Sequence, residues 1–215
     1  MLTIHAADLL VSGDPKRPSV PGGAVLVDGR ECVAAGPYEE LAAAHPSARV
    51  RRWPGLLTPG LVNRYGPELL EGAYHPDPRE AGELGGEPLT GEALAALPMT
   101  DARWGASARR GVQRMLAHGT VAVAGDLWRP AVMDAVRRAG LSVEERFHAP
   151  EGPPSLDPLA GRDLVAAILM PLFPGAGMPA TFTVFDVPDE ETLAAKGASH
   201  CVVTVIEGKL VYRSR

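Results

Sequence analysis

The segment LLTPGLVNRYGPE, residues 56–68, places Arg64, Tyr65 and Glu68 directly after a short apolar run. An aromatic ring can stack on a planar ligand, and a guanidinium can form paired hydrogen bonds with a carboxylate or a phosphate. We therefore interpret Tyr65, Arg64 and Glu68 as candidate ligand-binding residues at the mouth of a site. The competing interpretation, that they are remnants of a site without chemistry, stays open.

Two further polar residues follow predicted strands. Asp126 comes after TVAVAG, and His148 comes after LSVEERF. Because α/β folds place functional side chains at the carboxyl ends of their strands, Asp126 and His148 are the candidate catalytic residues, and we expect them at the same edge as Tyr65.

Two other histidines, His75 and His118, could take part in chemistry, but each also has a structural interpretation. His75 and Asp77, in AYHPDP, could hold a metal ion together, but a Pro-rich segment favours a solvated turn. His118 precedes Gly119 at the end of a predicted helix, where a cation stabilises the helix terminus. We expect capping there instead of catalysis.

A last group of residues is predicted to be structural. His5 and His200 lie in predicted strands, and the acidic run 189–191 is interpreted as a solvated loop. Cys32 and Cys201 are far apart and also lie in predicted strands, which favours two buried thiols over a disulfide.

The elements that position these residues change character along the chain. The first 60 residues alternate apolar runs with turns, and Asp28-Gly29 predicts a type I′ hairpin. Residues 66–91 are rich in Gly, Pro and acidic residues and predict a long loop. Residues 91–147 then alternate helical and strand patterns, which indicates parallel βα units. DLVAAILMPLF, residues 163–173, fits a helix or a buried strand.

Composition narrows the class of protein. The chain has 215 residues, 46% of them hydrophobic and 22% charged, with a net charge of -5. These values are typical of an ordinary folded domain, and the absence of a basic run argues against nucleic acid as a partner. The N-terminus does not follow the pattern of a secretion signal, and no run of ~18 apolar residues occurs, so we expect a cytoplasmic protein without membrane contact.

Several separated motifs occur in the order found in a known superfamily. They are ADLLVSG, AVLVDGRECVAAGPYEEL, LLTPGLVN, ARRGVQRMLAHGTVAVAGD, ATFTVFD and VIEGKLVYR. Together they resemble the amidohydrolase superfamily, most closely imidazolonepropionases and aminodeoxyfutalosine deaminases. The resemblance implies an α/β fold, with a small β-sandwich-like composite domain from residues 1–58 and 178–215 and an incomplete (β/α) barrel portion from residues 59–177.

The chain departs from this superfamily where the resemblance implies metal binding. The motif His-x-His that would follow LLTPGLVN is replaced by Tyr65 and Pro67; proline offers no ligand atom and a neutral tyrosine is a poor ligand for zinc. The stretch from Val62 to Ala180 is also about half of the ~250 residues in a complete barrel. We therefore expect no metal and no cofactor.

These features lead to one functional hypothesis and one alternative. The leading hypothesis is a degenerate amidohydrolase-like protein that lacks metal-dependent hydrolysis and acts as a binding or partner subunit. The alternative is a small hydrolase or deaminase for non-peptide C–N bonds, with a rebuilt site drawn from Asp126, His148, His118 or His75. Because an incomplete barrel exposes strand edges, we expect a homodimer or a complex with a related full-length enzyme, besides a possible small-molecule ligand.

Overall fold

The computed structural model describes residues 1–172, 175 and 177–214. It is a mixed α/β structure in which the described strands form three sheets, and no sheet closes into a barrel. The strands are β1 (Leu2–Ala6), β2 (Leu9–Leu10), β3 (Val20–Pro21), β4 (Gly23–Asp28), β5 (Glu31–Pro37), β6 (Arg49–Arg52), β7 (Leu56–Pro59), β8 (Leu61–Asn63), β9 (Thr120–Ala124), β10 (Ser142–Glu144), β11 (Phe182–Phe185), β12 (Cys201–Ile206) and β13 (Lys209–Arg213).

The helices alternate with these strands and are mostly short. They are α1 (Tyr38–Ala44), α2 (Gly66–Leu70), α3 (Ala81–Leu84), α4 (Gly91–Ala95), α5 (Asp101–Leu116), α6 (Pro130–Ala139), α7 (Leu164–Ala167) and α8 (Glu190–Lys196), with single 3₁₀ turns at Pro78–Glu80 and Ala198–His200. None of the helices in the described part of the chain combines the length and apolar character needed to cross a membrane.

Two of the sheets come from the ends of the chain. One has the order β5-β4-β1-β6, and the other has the order β13-β12-β11-β7-β2-β3. Late strand β11 pairs antiparallel with early strand β7, so that Phe182 lies opposite Pro59. Buried side chains from both sheets, such as Val25 and Val184, share one apolar cluster. The domain boundaries themselves remain a prediction.

The third sheet is parallel, with the order β10-β9-β8. β9 is buried along its whole length, as TVAVA predicts. Helix α5 begins at the Thr100 cap, whose hydroxyl accepts a hydrogen bond from the Arg103 amide, and it buries a face that includes Ala108, Val112, Met115 and Leu116. Because α5 and α6 pack beside this sheet, their βα connections place the strand ends at a common edge.

Three local predictions are wrong. Residues 66–91 contain α2, α3 and a 3₁₀ turn, because Pro67 starts a helix and Asp77 forms a capping box with Glu80. In the first hairpin the central turn residues are Gly29 and Arg30, and only Gly29 has a positive φ, which is the type II′ pattern.

The third wrong prediction concerns the acidic run 189–191, which starts a helix. The Asp189 carboxylate accepts a hydrogen bond of 2.7 Å from the Thr192 amide and caps α8. The ambiguous segment 163–173 combines both predicted forms, since it holds α7 and then an isolated bridge between Ile168 and Leu61. Its last residue, Phe173, lies outside the described residues.

Candidate functional site

The carboxyl end of β8 is fixed to the chain segment that connects β10 with α7, residues 145–163. The fully buried Asn63 donates from its side-chain nitrogen to the carbonyl oxygens of Ser155, at 2.9 Å, and Leu156, at 3.2 Å. Its side-chain oxygen accepts from the Tyr65 amide at 2.9 Å. This segment, called the covering segment below, therefore lies over the end of the strand.

Tyr65 extends this attachment. Its hydroxyl donates to the Glu151 carbonyl oxygen at 2.6 Å, while the residue itself precedes the first turn of α2. Pro67 lies in that first turn. The two positions that the resemblance assigns to metal ligands thus hold an engaged hydroxyl and a ring without a donor atom, so the residues present do not fit the metal. Among the described residues, no group of three or more His, Cys, Asp or Glu side chains could hold an ion.

A cleft of about 350 Å³ opens between the end of β8 and the covering segment. Arg64 is exposed at its edge, and its guanidinium has no partner among the described residues. The Asp157 carboxylate is engaged, since its oxygens accept from the amides of Leu159, at 2.8 Å, and Ala198, at 3.2 Å. The charged, histidine and tyrosine side chains that line the cleft are Arg64, Tyr65, His148, Glu151, Asp157 and Arg162.

Arg162 forms the inner wall of this cleft, and sequence reasoning missed it. One terminal nitrogen donates to the carbonyls of Val62, at 3.1 Å, and Pro158, at 3.2 Å, and the other donates to Ala166. Its Nε is buried without a partner. Burial, followed by the charge of Arg64, lowers the pKa of Arg162 to about 10. No motif around residue 162 indicates this role, because the contact that joins Arg162 to the end of β8 spans 100 positions.

The third predicted ligand-binding residue, Glu68, lies outside the cleft. Both of its carboxylate oxygens accept from the Arg146 guanidinium, at 2.8 and 2.9 Å, and Arg146 also donates to the Arg64 carbonyl at 2.9 Å. This ion pair joins α2 to the covering segment. Glu68 therefore supports the base of Arg64 in the structure.

The candidate catalytic residues are separated. His148 lines the cleft and is exposed, whereas Asp126 is exposed and is not among the residues of the cleft wall. Their positions after β10 and β9 follow the predicted pattern, but the structure brings only His148 together with Tyr65 and Arg64.

His75 is fully buried, so the predicted solvated turn is wrong. Its Nε2 lies 2.8 Å from the Leu69 carbonyl, its amide donates to the Ser107 hydroxyl, and its carbonyl accepts from Arg110 at 2.7 Å. Gly111 makes the burial possible, because a Cβ there would lie 2.7 Å from the ring. Burial is the main cause that lowers the pKa of His75. We call this region the His75 pocket.

The remaining histidine predictions have mixed outcomes. His118 caps α5 as predicted, since its Nδ1 lies 2.8 Å from the Arg114 carbonyl oxygen. His5 is structural as predicted: it is buried in β1 and accepts a hydrogen bond from the Trp53 indole at 3.1 Å. His200 lies in an exposed 3₁₀ turn at the start of β12 instead of in a strand. Cys32 and Cys201 are buried free thiols, as predicted.

No protein-family model matches the chain, and no curated protein sequence matches it. Solved structures do resemble it. They include ochratoxinase from A. niger, with 20% identity, a TM-score of 0.45, and coverage of 67% of this chain and 30% of that one. Aminofutalosine deaminase from Helicobacter pylori has 16% identity, a TM-score of 0.44, and coverage of 75% and 37%. An adenosine deaminase from Xanthomonas campestris has 18% identity, a TM-score of 0.44, and coverage of 66% and 32%.

These three proteins are members of the amidohydrolase superfamily, the superfamily that the sequence motifs resemble. The chain spans about a third of their length. At these identities and TM-scores, no chemistry is transferred from them to this chain.

Proposed function

We propose that this chain is a degenerate amidohydrolase-like protein that binds a small polar ligand in the cleft without metal-dependent hydrolysis. The observation that carries the proposal is the contrast between two neighbouring residues at the end of β8. The Tyr65 hydroxyl is used to hold the covering segment, whereas the Arg64 side chain is exposed and has no partner among the described residues.

The dimensions and chemistry of the cleft support binding. Its volume of about 350 Å³ lies at the lower end of the range of small-molecule sites. Hydrolysis of the superfamily's kind needs a bound metal that lowers the pKa of water, and the residues at positions 65 and 67 offer no histidine for it. The residue set is thus better suited to orienting a ligand than to activating water.

A thermal-shift screen with small planar and anionic compounds tests this proposal. We expect at least one compound to raise the unfolding temperature in a saturable way while its concentration stays constant over hours. The variant Arg64→Gln should lose the shift, and Arg49→Gln, which replaces an exposed arginine on β6 away from the cleft, should keep it. A panel that gives no shift at all would contradict the proposal.

The alternative function, a small hydrolase or deaminase for non-peptide C–N bonds, is supported by one observation: His148 lines the cleft. A histidine can act as a general base at neutral pH. Measured product release that disappears in His148→Gln, but not in Asp126→Asn, would favour this alternative over binding alone.

We also propose that the chain forms a homodimer through the open edge of the parallel sheet. In the described part of the chain β10 pairs only with β9, and both Val143 and Phe147 near this edge are exposed. An unpaired strand edge with apolar side chains favours association. Light scattering after gel filtration should give twice the chain mass, and a Val143→Lys variant should give the monomer mass; a monomeric wild-type protein would contradict this proposal.

A further inference from the structure

Arg64 and Arg162 line the cleft without an ion-pair partner in the described part of the chain, although the Glu151 and Asp157 carboxylates line the same cleft. Among the described residues, neither Arg64 nor Arg162 belongs to any of the ion pairs in the structure. The Asp157 carboxylate is already committed to two backbone amides, and its geometry is fixed by them. Glu151 lines the cleft too; it is exposed, and its carbonyl accepts a hydrogen bond from Tyr65.

The two guanidinium groups have different surroundings. Arg162 is held by three backbone carbonyls, so its charge is fixed in the cleft wall. Arg64 is exposed, and all of its side-chain donors are available to a ligand. Like charges that share a partly buried cleft repel each other, and the pKa of Arg162 is lowered in part for this reason. An anion between them would remove this unfavourable interaction.

The cleft offers little to a ligand that is recognised by stacking. Of the phenylalanine, tyrosine and tryptophan side chains in the described residues, only Tyr65 lines it. Guanidinium groups form their strongest contacts with planar carboxylates and with phosphates, through paired hydrogen bonds.

From this placement we infer that the ligand of the cleft is a small anion, a carboxylate or a phosphate, that Arg64 contacts directly while Arg162 supplies a fixed positive charge. The inference rests on the proposed binding function and adds the ligand class to it. Arg64 is then the binding residue, and Arg162 is a positioning residue that also holds the end of β8 to the covering segment.

Calorimetric titration with inorganic phosphate and, separately, with acetate tests the inference, at constant ionic strength maintained with chloride. We expect saturable binding of at least one of the two anions, and the one that binds identifies the source as phosphate or carboxylate. Arg64→Gln should weaken this binding about tenfold or more, because a charged hydrogen bond is lost.

Two variants separate a specific site from a general charge effect. Glu151→Gln removes the one exposed carboxylate beside the cleft and should strengthen anion binding. Arg49→Gln removes the positive charge of an exposed arginine on β6 that does not line the cleft, and should leave the affinity unchanged. These exposed positions can be changed without the loss of the carbonyl contacts that an Arg162 variant would cause.

The outcomes distinguish this inference from the proposed function. If neither anion binds, but a neutral compound binds and depends on Arg64, the ligand class is wrong and the binding function stands. If an anion binds equally well to wild type and Arg64→Gln, the inferred contact is wrong. If no compound of any class binds, both are wrong.

Discussion

The cleft at the end of β8 and the His75 pocket both contain nitrogen-bearing polar side chains. In the pocket these groups are buried and mostly bonded within the chain, whereas in the cleft an arginine is exposed and unpaired among the described residues. In the His75 pocket, the backbone amide and carbonyl of a fully buried histidine and one of its ring nitrogens all have partners from the chain itself. In the cleft, Arg64 is exposed without a partner among the described residues, and Arg162 has carbonyl partners but no carboxylate. Arg64 and His75 both follow β8 in the sequence.

The comparison distinguishes polar groups whose partners lie within the fold from polar groups that a ligand can reach. A buried polar group normally finds partners within the fold, because an unpaired one costs stability. The His75 pocket largely follows this rule, with only Nδ1 left unpaired. In the cleft, the Arg64 side chain is exposed and has no hydrogen-bond or ion-pair partner among the described residues, so its donors are available to the ligand that we propose.

The largest effect is expected from acid. Because burial holds the pKa of His75 below its usual value, the unfolded chain takes up a proton first as the pH falls. This contribution to stability is therefore complete above pH ~6.5 and is lost as the pH falls toward the folded-state pKa, with a slope of at most about 1.4 kcal/mol per pH unit. His5, with its pKa lowered to about 4, adds a contribution of the same sign. Urea unfolding between pH 7.5 and 4.5 measures the slope.

The variant His75→Gln should have a shallower slope than wild type, by at most one proton. Ser107→Ala is the matched control, since it disturbs the same pocket by removing the acceptor of the His75 amide but removes no titrating group. An equal slope in wild type and His75→Gln would show that the pocket does not contribute to the acid sensitivity.

The packing of the His75 pocket gives the next largest effect. Gly111→Ala places a methyl group 2.7 Å from the His75 ring and 2.8 Å from the Leu70 side chain. Despite the better helix propensity of alanine, we expect a loss of about 1–3 kcal/mol in the free energy of unfolding. Gly82→Ala, in α3 with open space around the new Cβ, should cost nothing. Similar stabilities for the two variants in urea would contradict the packing described for Gly111.

A smaller effect is expected at the boundary between the cleft and its cover. Tyr65→Phe removes the hydrogen bond to the Glu151 carbonyl and should cost about 1 kcal/mol. Amide hydrogen exchange in residues 148–152 should become faster. Tyr38→Phe, whose hydroxyl has no hydrogen-bond partner among the described residues, serves as the control and should leave both quantities unchanged. Unaltered exchange in Tyr65→Phe would mean that this bond does not hold the covering segment.

The smallest effect is expected at Asp126, which is exposed and lies outside the cleft wall. Asp126→Asn should change the free energy of unfolding by less than about 0.5 kcal/mol. Ligand-induced thermal shifts should stay the same as in wild type. A lost shift would place Asp126 in the functional site and would revive the hydrolase alternative.

The sequence predicted those features that depend on local patterns. Helices α5 and α6 and the buried strand β9 follow the helical and strand patterns of residues 91–147. The position of Arg64 and Tyr65 at the end of β8 followed from the LLTPGLVN motif. Each of these signals lies within about a dozen neighbouring residues.

The features that the sequence did not predict depend on contacts between distant residues. Arg162 reaches Val62 across 100 positions, and His75 is buried because Gly111 and Ser107 leave room and an acceptor for it on a later helix. The composition predicted that His75 would be exposed to solvent, since Pro and acidic residues surround it. Tertiary packing buries His75 instead, because α5 supplies partners for its backbone polar atoms.

Metal content tests most directly whether the mouth of β8 is a binding cleft instead of a hydrolytic metal site. Protein purified without chelators would be incubated with zinc, dialysed and measured by inductively coupled plasma mass spectrometry. The account predicts far less than one zinc per chain, because Tyr65 and Pro67 offer no pair of imidazoles. A stoichiometry of about one tightly held zinc per chain that falls in His148→Ala would contradict it.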